Sequence, residues 1–200
     1  MGLRELIHRW RYGVPPGVRV GRYCIIARDV EWGGHAQVWH MVQIREGARI
    51  GGGVVIGNWV LIGPHVYIGD LTRIGTGAQV HEPAVIGRDV FIGPEVFVGN
   101  DKYPMNRKGW TPQPVRIGDY AVIGAGARIM GGAVIPPGAV IGMASLVLDS
   151  SVLAPGDIAV GVPVRVIGKR PMHSPGTAHE HWAPLCEQDR CPLCEVYGDG

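Results

Sequence analysis

Two histidines, three side chains with carboxylate or amide oxygens and one recurring spacing stand out in the middle of the sequence. These residues are His65, His81, Glu82, Asn100 and Asp101. Asn100 follows Glu82 by eighteen positions, and Asp101 follows His65 by thirty-six. An imidazole with an ordinary pKa of about 6.5 accepts a proton near neutrality, a carboxylate binds a cation, and an amide donates to an oxyanion. Such a set can bind an amine and remove its proton if the fold stacks residues eighteen apart.

The elements that position these residues follow a six-residue repeat. Twenty positions at this spacing run from Val20 to Val98 and from Ile117 to Val147, and all but Trp32 are Val or Ile. Gly often comes next, and a small or β-branched residue often comes four positions later. Branched aliphatics favour strands and Gly favours corners, so each unit predicts a short strand and a corner. Stacked units bury their aliphatic residues against neighbouring units, which gives a core to a chain with only two Phe.

This repeat resembles the hexapeptide-repeat, left-handed parallel β-helix family, in which three units make a triangular coil of eighteen residues. The resemblance covers roughly residues 14–168 and implies an all-β solenoid with one extruded loop. We expect a capping helix at 1–13, the β-helix acyltransferase domain at 14–168 with its loop at 99–116, and an irregular tail at 169–200. The helix is predicted from apolar residues at helical spacing, namely Leu3, Leu6, Ile7 and Trp10.

Charge and hydropathy exclude several partners. Nineteen basic and seventeen acidic residues give a net charge of +2, so no strong field favours nucleic acid or a membrane surface. No apolar run approaches the length of about 18 residues that a membrane span needs, and the first residues lack the apolar segment of a signal peptide. We therefore expect a cytoplasmic protein.

A coil of eighteen residues brings the polar residues together. Residues n and n+18 then stack about 4.8 Å apart, and two of the three corner columns are nearly all Gly. The third column follows if the interruption near residue 100 adds thirteen residues without changing face. Five of its seven positions are not Gly. Its members are Ala27, Arg45, Gly63, His81, Gly99, Met130 and Leu148. The five polar residues then cluster within two coil steps, beside the loop that leaves after Asp101. An insertion without function beside a solvated polar strip is the alternative.

Three runs carry a closer resemblance: VWHMVQIREGARIG, VFVGNDKYP and GVPVRVIGKR. They are similar to the nucleotide-linked amino-sugar N-acetyltransferases, which acetylate an amine on a dTDP- or UDP-sugar with acetyl-CoA. Asn100, Asp101 and Pro104 match that family as they stand. The resemblance implies a homotrimer with the active site between subunits. It also implies that the sugar lies near the loop and the pantetheine of acetyl-CoA lies along the coils after it.

These inferences assign candidate roles. We expect His81 to accept the proton of the amine and Asn100 to orient the sugar or donate to the thioester oxyanion. In the alternative, the amine arrives neutral and the departing CoA sulfur takes the proton. The candidate substrate-binding residues are His65, Glu82, Asp101, Lys102, Tyr103 and Arg107. The resemblance implies that the residues meeting acetyl-CoA are Ala125, Met143 and Ala144 for pantetheine and Arg165 for the phosphates, with Lys169 adding positive charge.

Three other functions remain open. Sugar-hydroxyl or xenobiotic O-acetyltransferases of this fold carry a catalytic His in the loop, but no histidine lies between His81 and His173. A hydroxyl, whose pKa lies near that of water and far above neutrality, needs a base more than an amine does. A γ-carbonic-anhydrase-like zinc protein is suggested by His35 and His40, which are five residues apart as in that family. The last alternative is a solenoid that organises partners without catalysis.

Cysteine usage separates the solenoid from the tail. Cys24 occupies a small inward position of the repeat and is expected in the core. His181, Cys186, Cys191 and Cys194 form the pattern H-x4-C-x4-C-x2-C, which supplies enough ligands for one tetrahedral structural zinc. A flexible tail with unpaired thiols is the alternative.

We predict about one zinc ion per chain, bound by the tail, because a closed structural site takes four Cys or His ligands. Elemental analysis of protein purified without chelator should find this zinc, and removal of residues 179–200 should abolish it. Absence of zinc from the full chain, or an unchanged zinc content after truncation, contradicts a zinc site in the tail.

Overall fold

The repeating unit of the computed structural model is a two-residue strand followed by a tight corner. The structure describes residues 13–102, 109 and 111–170. The capping helix predicted at residues 1–13 falls outside these ranges except for Gly13, as does the tail from residue 171. No helix in the described part of the chain has the length and apolar character needed to cross a membrane.

Strands that lie one coil apart pair in parallel and build three flat faces. The first face contains β1 (Arg19–Val20), β4 (Gln37–Val38), β7 (Val55–Ile56), β10 (Arg73–Ile74), β13 (Phe91–Ile92), β16 (Val122–Ile123), β19 (Val140–Ile141), β21 (Asp157–Val160) and β22 (Arg165–Lys169). The second face contains β2 (Ile25–Ile26), β5 (Gln43–Ile44), β8 (Leu61–Ile62), β11 (Gln79–Val80), β14 (Phe97–Val98), β17 (Arg128–Ile129) and β20 (Leu146–Val147). The third face contains β3 (Glu31–Trp32), β6 (Arg49–Ile50), β9 (Tyr67–Ile68), β12 (Val85–Ile86), β15 (Arg116–Ile117) and β18 (Val134–Ile135).

The pairing register confirms the predicted coil of eighteen residues. Gln79 pairs with Leu61 on one side and with Phe97 on the other. Across the interruption, Phe97 pairs with Arg128, which lies thirty-one positions later. The insertion therefore adds thirteen residues and returns the chain to the same face, as the sequence predicts.

The interior is a stack of aliphatic side chains. Its largest fully buried members are all isoleucines of the six-residue repeat: Ile44, Ile50, Ile56, Ile62, Ile68, Ile86, Ile92, Ile117, Ile123, Ile129, Ile135 and Ile141. Burying one such side chain contributes about 1.5–3 kcal/mol relative to leaving it exposed. Smaller residues such as Ala48 and Ala78, which are completely buried, complete the inner layers. The left-handed parallel β-helix predicted from the repeat is thus confirmed.

An antiparallel strand pair closes the last coil. β21 pairs with β19 in parallel and with β22 in antiparallel orientation. Asp157 is buried, accepts a hydrogen bond from the N–H of Ala154 at 2.7 Å, and pairs with Lys169 at 3.3 Å. The Ala154 N–H, with help from Lys169, lowers the pKa of the Asp157 carboxyl. Lys169 therefore contributes to closing the coil.

Close stacking of the corners predicts a difference between two glycines. A Cβ on Gly75 would lie 2.5 Å from the backbone nitrogen of Pro94 in the next coil, whereas a Cβ on Gly52 would meet nothing nearer than 3.4 Å. We expect Gly75→Ala to lower the free energy of unfolding by about 1–3 kcal/mol, because overpacking forces the backbone to shift. The matched variant Gly52→Ala should change it by less than about 0.5 kcal/mol. Urea denaturation measures both, and equal effects would contradict the packing argument.

Candidate active site

The predicted polar column lies at the corner between the second and third faces. His81 directly follows β11, and its N–H donates to the carbonyl oxygen of Val98 in β14 at 3.1 Å. Glu82 occupies the next position of the same coil, and Asn100 occupies the equivalent position one coil further on. The register thus brings together the corner positions that the sequence analysis selected, while their roles stay predictions.

The imidazole of His81 packs against an aromatic ring of the second face. The ring centroids of His81 and Phe97 are 5.1 Å apart, with an angle of 51° between the ring planes. Nε2 of His81 is buried and has no hydrogen-bond partner in the described ranges. This packing holds Nε2 away from solvent, and a buried polar atom without a partner carries a free-energy cost.

Side chains at this corner lie directly above glycines of the preceding coil. A Cβ on Gly63 would lie 2.9 Å from Oε2 of Glu82, so the carboxylate occupies space that only Gly leaves open. The imidazole of His65 covers Gly47 in the same way, and the N–H of His65 donates to the carbonyl oxygen of Glu46 at 2.9 Å. The corner therefore carries one or two polar side chains in each of these coils, next to glycines whose backbone is left open.

Backbone hydrogen bonds join the two ends of the loop to each other and join the Gln113 end to the next coil. The N–H of Gln113 donates to the carbonyl oxygen of Asn100 at 2.9 Å, and the N–H of Gly132 donates to the carbonyl oxygen of Gln113 at 3.1 Å. A Cβ on Gly131 would lie 2.8 Å from the carbonyl carbon of Asn100. The glycines at this point let the base of the loop sit directly on the following corner.

An ion pair adds a side-chain tether to the loop base. Nζ of Lys102 lies 2.6 Å from Oδ2 of Asp149, and both side chains are mostly buried. The hydrogen bond from Lys102 lowers the pKa of the Asp149 carboxyl, so Asp149 stays ionised at neutral pH. The sequence analysis assigned Lys102 to substrate binding and missed Asp149. The register carried the missing signal, because Asp149 stands eighteen residues after Gly131, in the column of Asn100.

The other candidates are distributed over different parts of the molecule. Tyr103 and Arg107 lie outside the described residues. Ala125, Met143 and Ala144 lie at the corner between the first and second faces, where the N–H of Ala144 donates to the carbonyl oxygen of Ala125 at 2.9 Å. Met143 is 76% exposed there. The remaining two, Arg165 and Lys169, lie at the two ends of β22. The residues predicted to bind acetyl-CoA therefore lie on a different part of the solenoid from His81.

The histidines that suggested a zinc enzyme lie on separate corners. His35 is exposed between the third and first faces, whereas His40 follows the first face. Nδ1 of His40 accepts a hydrogen bond from the N–H of Arg22 at 2.8 Å. Within residues 13–102, 109 and 111–170, no three His, Cys, Asp or Glu side chains converge to hold a metal ion. The tail ligands His181, Cys186, Cys191 and Cys194 lie outside those ranges.

Comparison with sequence families identifies the repeat. The family described as bacterial transferase hexapeptide, with six repeats, matches residues 65–100. Over this segment the chain is similar to the hexapeptide-repeat transferases. The matched segment runs from His65 to Asn100, so it contains most of the polar corner column. No curated protein sequence matches the chain.

Solved structures share the fold over nearly the whole chain. The N-acyltransferase AntD from Bacillus cereus, in complex with dTDP and 3-hydroxybutyryl-CoA, superposes with a TM-score of 0.52 and 19% identity, over 94% of this chain and 97% of that one. A single-residue variant of AntD, in complex with dTDP-4-amino-4,6-dideoxyglucose and coenzyme A, gives 0.52 and 18% identity over the same shares. At these identities, the similarity establishes a common fold.

Proposed function

We propose that the protein is an acyl-CoA-dependent N-acyltransferase, with acetyl-CoA as donor and the amine of a nucleotide-linked amino sugar as acceptor. The observation that carries the proposal is the corner where His81, Glu82, Asn100 and Asp101 stack in register, directly at the exit of the loop. AntD, which shares the fold, binds a nucleotide and an acyl-CoA. We propose a homotrimer, because a flat face with a polar column along one edge needs a neighbouring subunit to form a cleft.

The proposed reaction joins the amine nitrogen to the thioester carbon. The nitrogen lone pair attacks the carbonyl carbon, the tetrahedral intermediate collapses, and the carbon–sulfur bond breaks to release CoA thiolate. The proton lost by the nitrogen passes to His81 and then to the departing sulfur, so the products are the amide and CoA thiol. Because Nε2 of His81 is buried against the protein, Nδ1 is the atom that accepts this proton.

The neighbouring polar groups hold the acceptor and the developing charge. Glu82 and Asp101 provide carboxylates that bind the sugar ammonium, which first releases one proton to solvent; the neutral amine then attacks and gives its second proton to His81. The backbone oxygen of Asn100 is engaged by Gln113, which fixes the residue at the loop base. We assign its side-chain amide to orienting the sugar or donating to the thioester oxyanion.

A panel of acceptors tests the proposal. Release of CoA thiol from acetyl-CoA should accelerate with dTDP- or UDP-linked amino sugars and not with the matching sugars that carry a hydroxyl in place of the amine. Light scattering of the same sample should give the mass of three chains. Turnover confined to hydroxyl acceptors, or none with any acceptor, would overturn the proposed activity.

His81→Asn tests the role of the base. Loss of a general base should lower turnover on the order of 10²-fold at pH 7, with recovery as the pH rises and more amine becomes neutral. The matched variant His35→Asn changes an exposed histidine at a different corner and should keep wild-type turnover. If His81→Asn keeps turnover at pH 7 and raises only KM, the CoA sulfur takes the proton and His81 only binds substrate.

A further inference from the structure

A groove of about 490 Å³ opens on the outside of the second face, beside the corner that leads from the first face. Its walls combine an aromatic ring, an amide, a carboxylate, a guanidinium and bare backbone; they are formed by Gly77, Gln79, Glu95, Val96, Phe97 and Arg128. Phe97 is 37% exposed on this wall. A concave site with an apolar platform and a few converging polar groups has the composition of a small-molecule site.

The guanidinium of Arg128 is held in place within this groove. Its central carbon lies 6.0 Å from the ring centroid of Phe97, and Nη1 donates to the carbonyl oxygen of Glu95 at 2.8 Å. In the described ranges, Arg128 forms no ion pair with a carboxylate. Arg128 therefore keeps N–H groups that do not reach the Glu95 carbonyl oxygen, and the Glu95 carboxylate lines the same groove without forming an ion pair with it. A planar guanidinium presents its donors in the geometry that a phosphate accepts.

Phe97 connects this cation to the proposed reaction centre. The same ring packs against the imidazole of His81 at 5.1 Å and against the guanidinium of Arg128 at 6.0 Å. The guanidinium carbon of Arg128 and the ring centroid of His81 are therefore no further apart than about 11 Å, the sum of these two distances. In a nucleotide-linked amino sugar, one sugar ring separates the phosphate from the amine. In acetyl-CoA, the whole pantetheine arm separates the pyrophosphate from the thioester.

We infer that the groove holds the phosphate end of the acceptor, with Arg128 binding the sugar-linked phosphate and Phe97 packing against the sugar. The inference rests on the proposed function for the identity of the acceptor as a phosphate-linked amino sugar. It assigns the groove to the acceptor and not to acetyl-CoA, and so departs from the family resemblance, which implies pantetheine at Ala125, Met143 and Ala144 on the same corner. It also makes Arg128 a specificity-determining residue, because a free amino sugar lacks the group that this cation binds.

Calorimetric titration with dTDP, UDP, inorganic pyrophosphate and CoA tests the site. Arg128→Gln should weaken the binding of dTDP or UDP and of pyrophosphate about tenfold or more, because a charge-assisted hydrogen-bonded pair is lost, and should leave CoA binding unchanged. Arg128→Lys, which keeps the charge but loses the planar fork, should recover part of the affinity. The matched control Arg73→Gln removes an exposed outward Arg of β10 on the first face and should bind all four ligands as the wild type does.

Two results overturn the inference. One is a wild-type protein that binds none of dTDP, UDP and pyrophosphate, or an Arg128→Gln variant that binds them unchanged. The other is a loss of CoA affinity in Arg128→Gln, which would assign the groove to the acyl donor. Thermal unfolding of each variant separates a local loss of binding from a loss of fold. Arg128-dependent binding without acyl transfer to any amino sugar would reject the proposed activity and leave the phosphate site in place.

Discussion

The backbone register between successive coils is the constraint on which the rest of this structure depends. The N–H of Gly63 donates to the carbonyl oxygen of Val80 at 2.8 Å, and the N–H of His81 continues the same ladder to Val98 at 3.1 Å. Because one register holds on all three faces, side chains are arranged in columns and each coil is stabilised only by its neighbours. A substitution therefore acts first on the coils directly above and below it.

The corners turn this register into a surface that can bind a ligand. Most corner positions are Gly, since the next coil passes so close that a Cβ would meet its backbone. At the corner between the second and third faces, polar side chains lie above glycines of the preceding coil, as Glu82 does above Gly63. On the other two edges, the first position after the strand is nearly always Gly, whereas at this edge it is often a larger residue.

The loop is inserted at a corner, where a solenoid can take extra residues without disturbing its strands. The coil resumes with Phe97 paired to Arg128, so the insertion leaves the ladder intact. The closure of a flexible segment costs free energy that grows only slowly with its length. The Asn100–Gln113 hydrogen bond and the Lys102–Asp149 ion pair reduce the freedom of the loop base further. Both contacts lie beside the polar column, so the scaffold sets the position of the loop base relative to His81.

The sequence by itself determined the β-helix, its eighteen-residue coil, the thirteen-residue insertion and the stacking of the polar corner positions, because a single period decides which residues are neighbours. Only the tertiary structure decided which side chains those neighbours engage. Lys102 pairs with Asp149, Nε2 of His81 is buried beside Phe97, and Arg128 is held by Phe97 and the Glu95 carbonyl. A repeat specifies the positions of backbone atoms and Cβ atoms, whereas rotamers depend on packing and charge around each side chain, which the period does not encode.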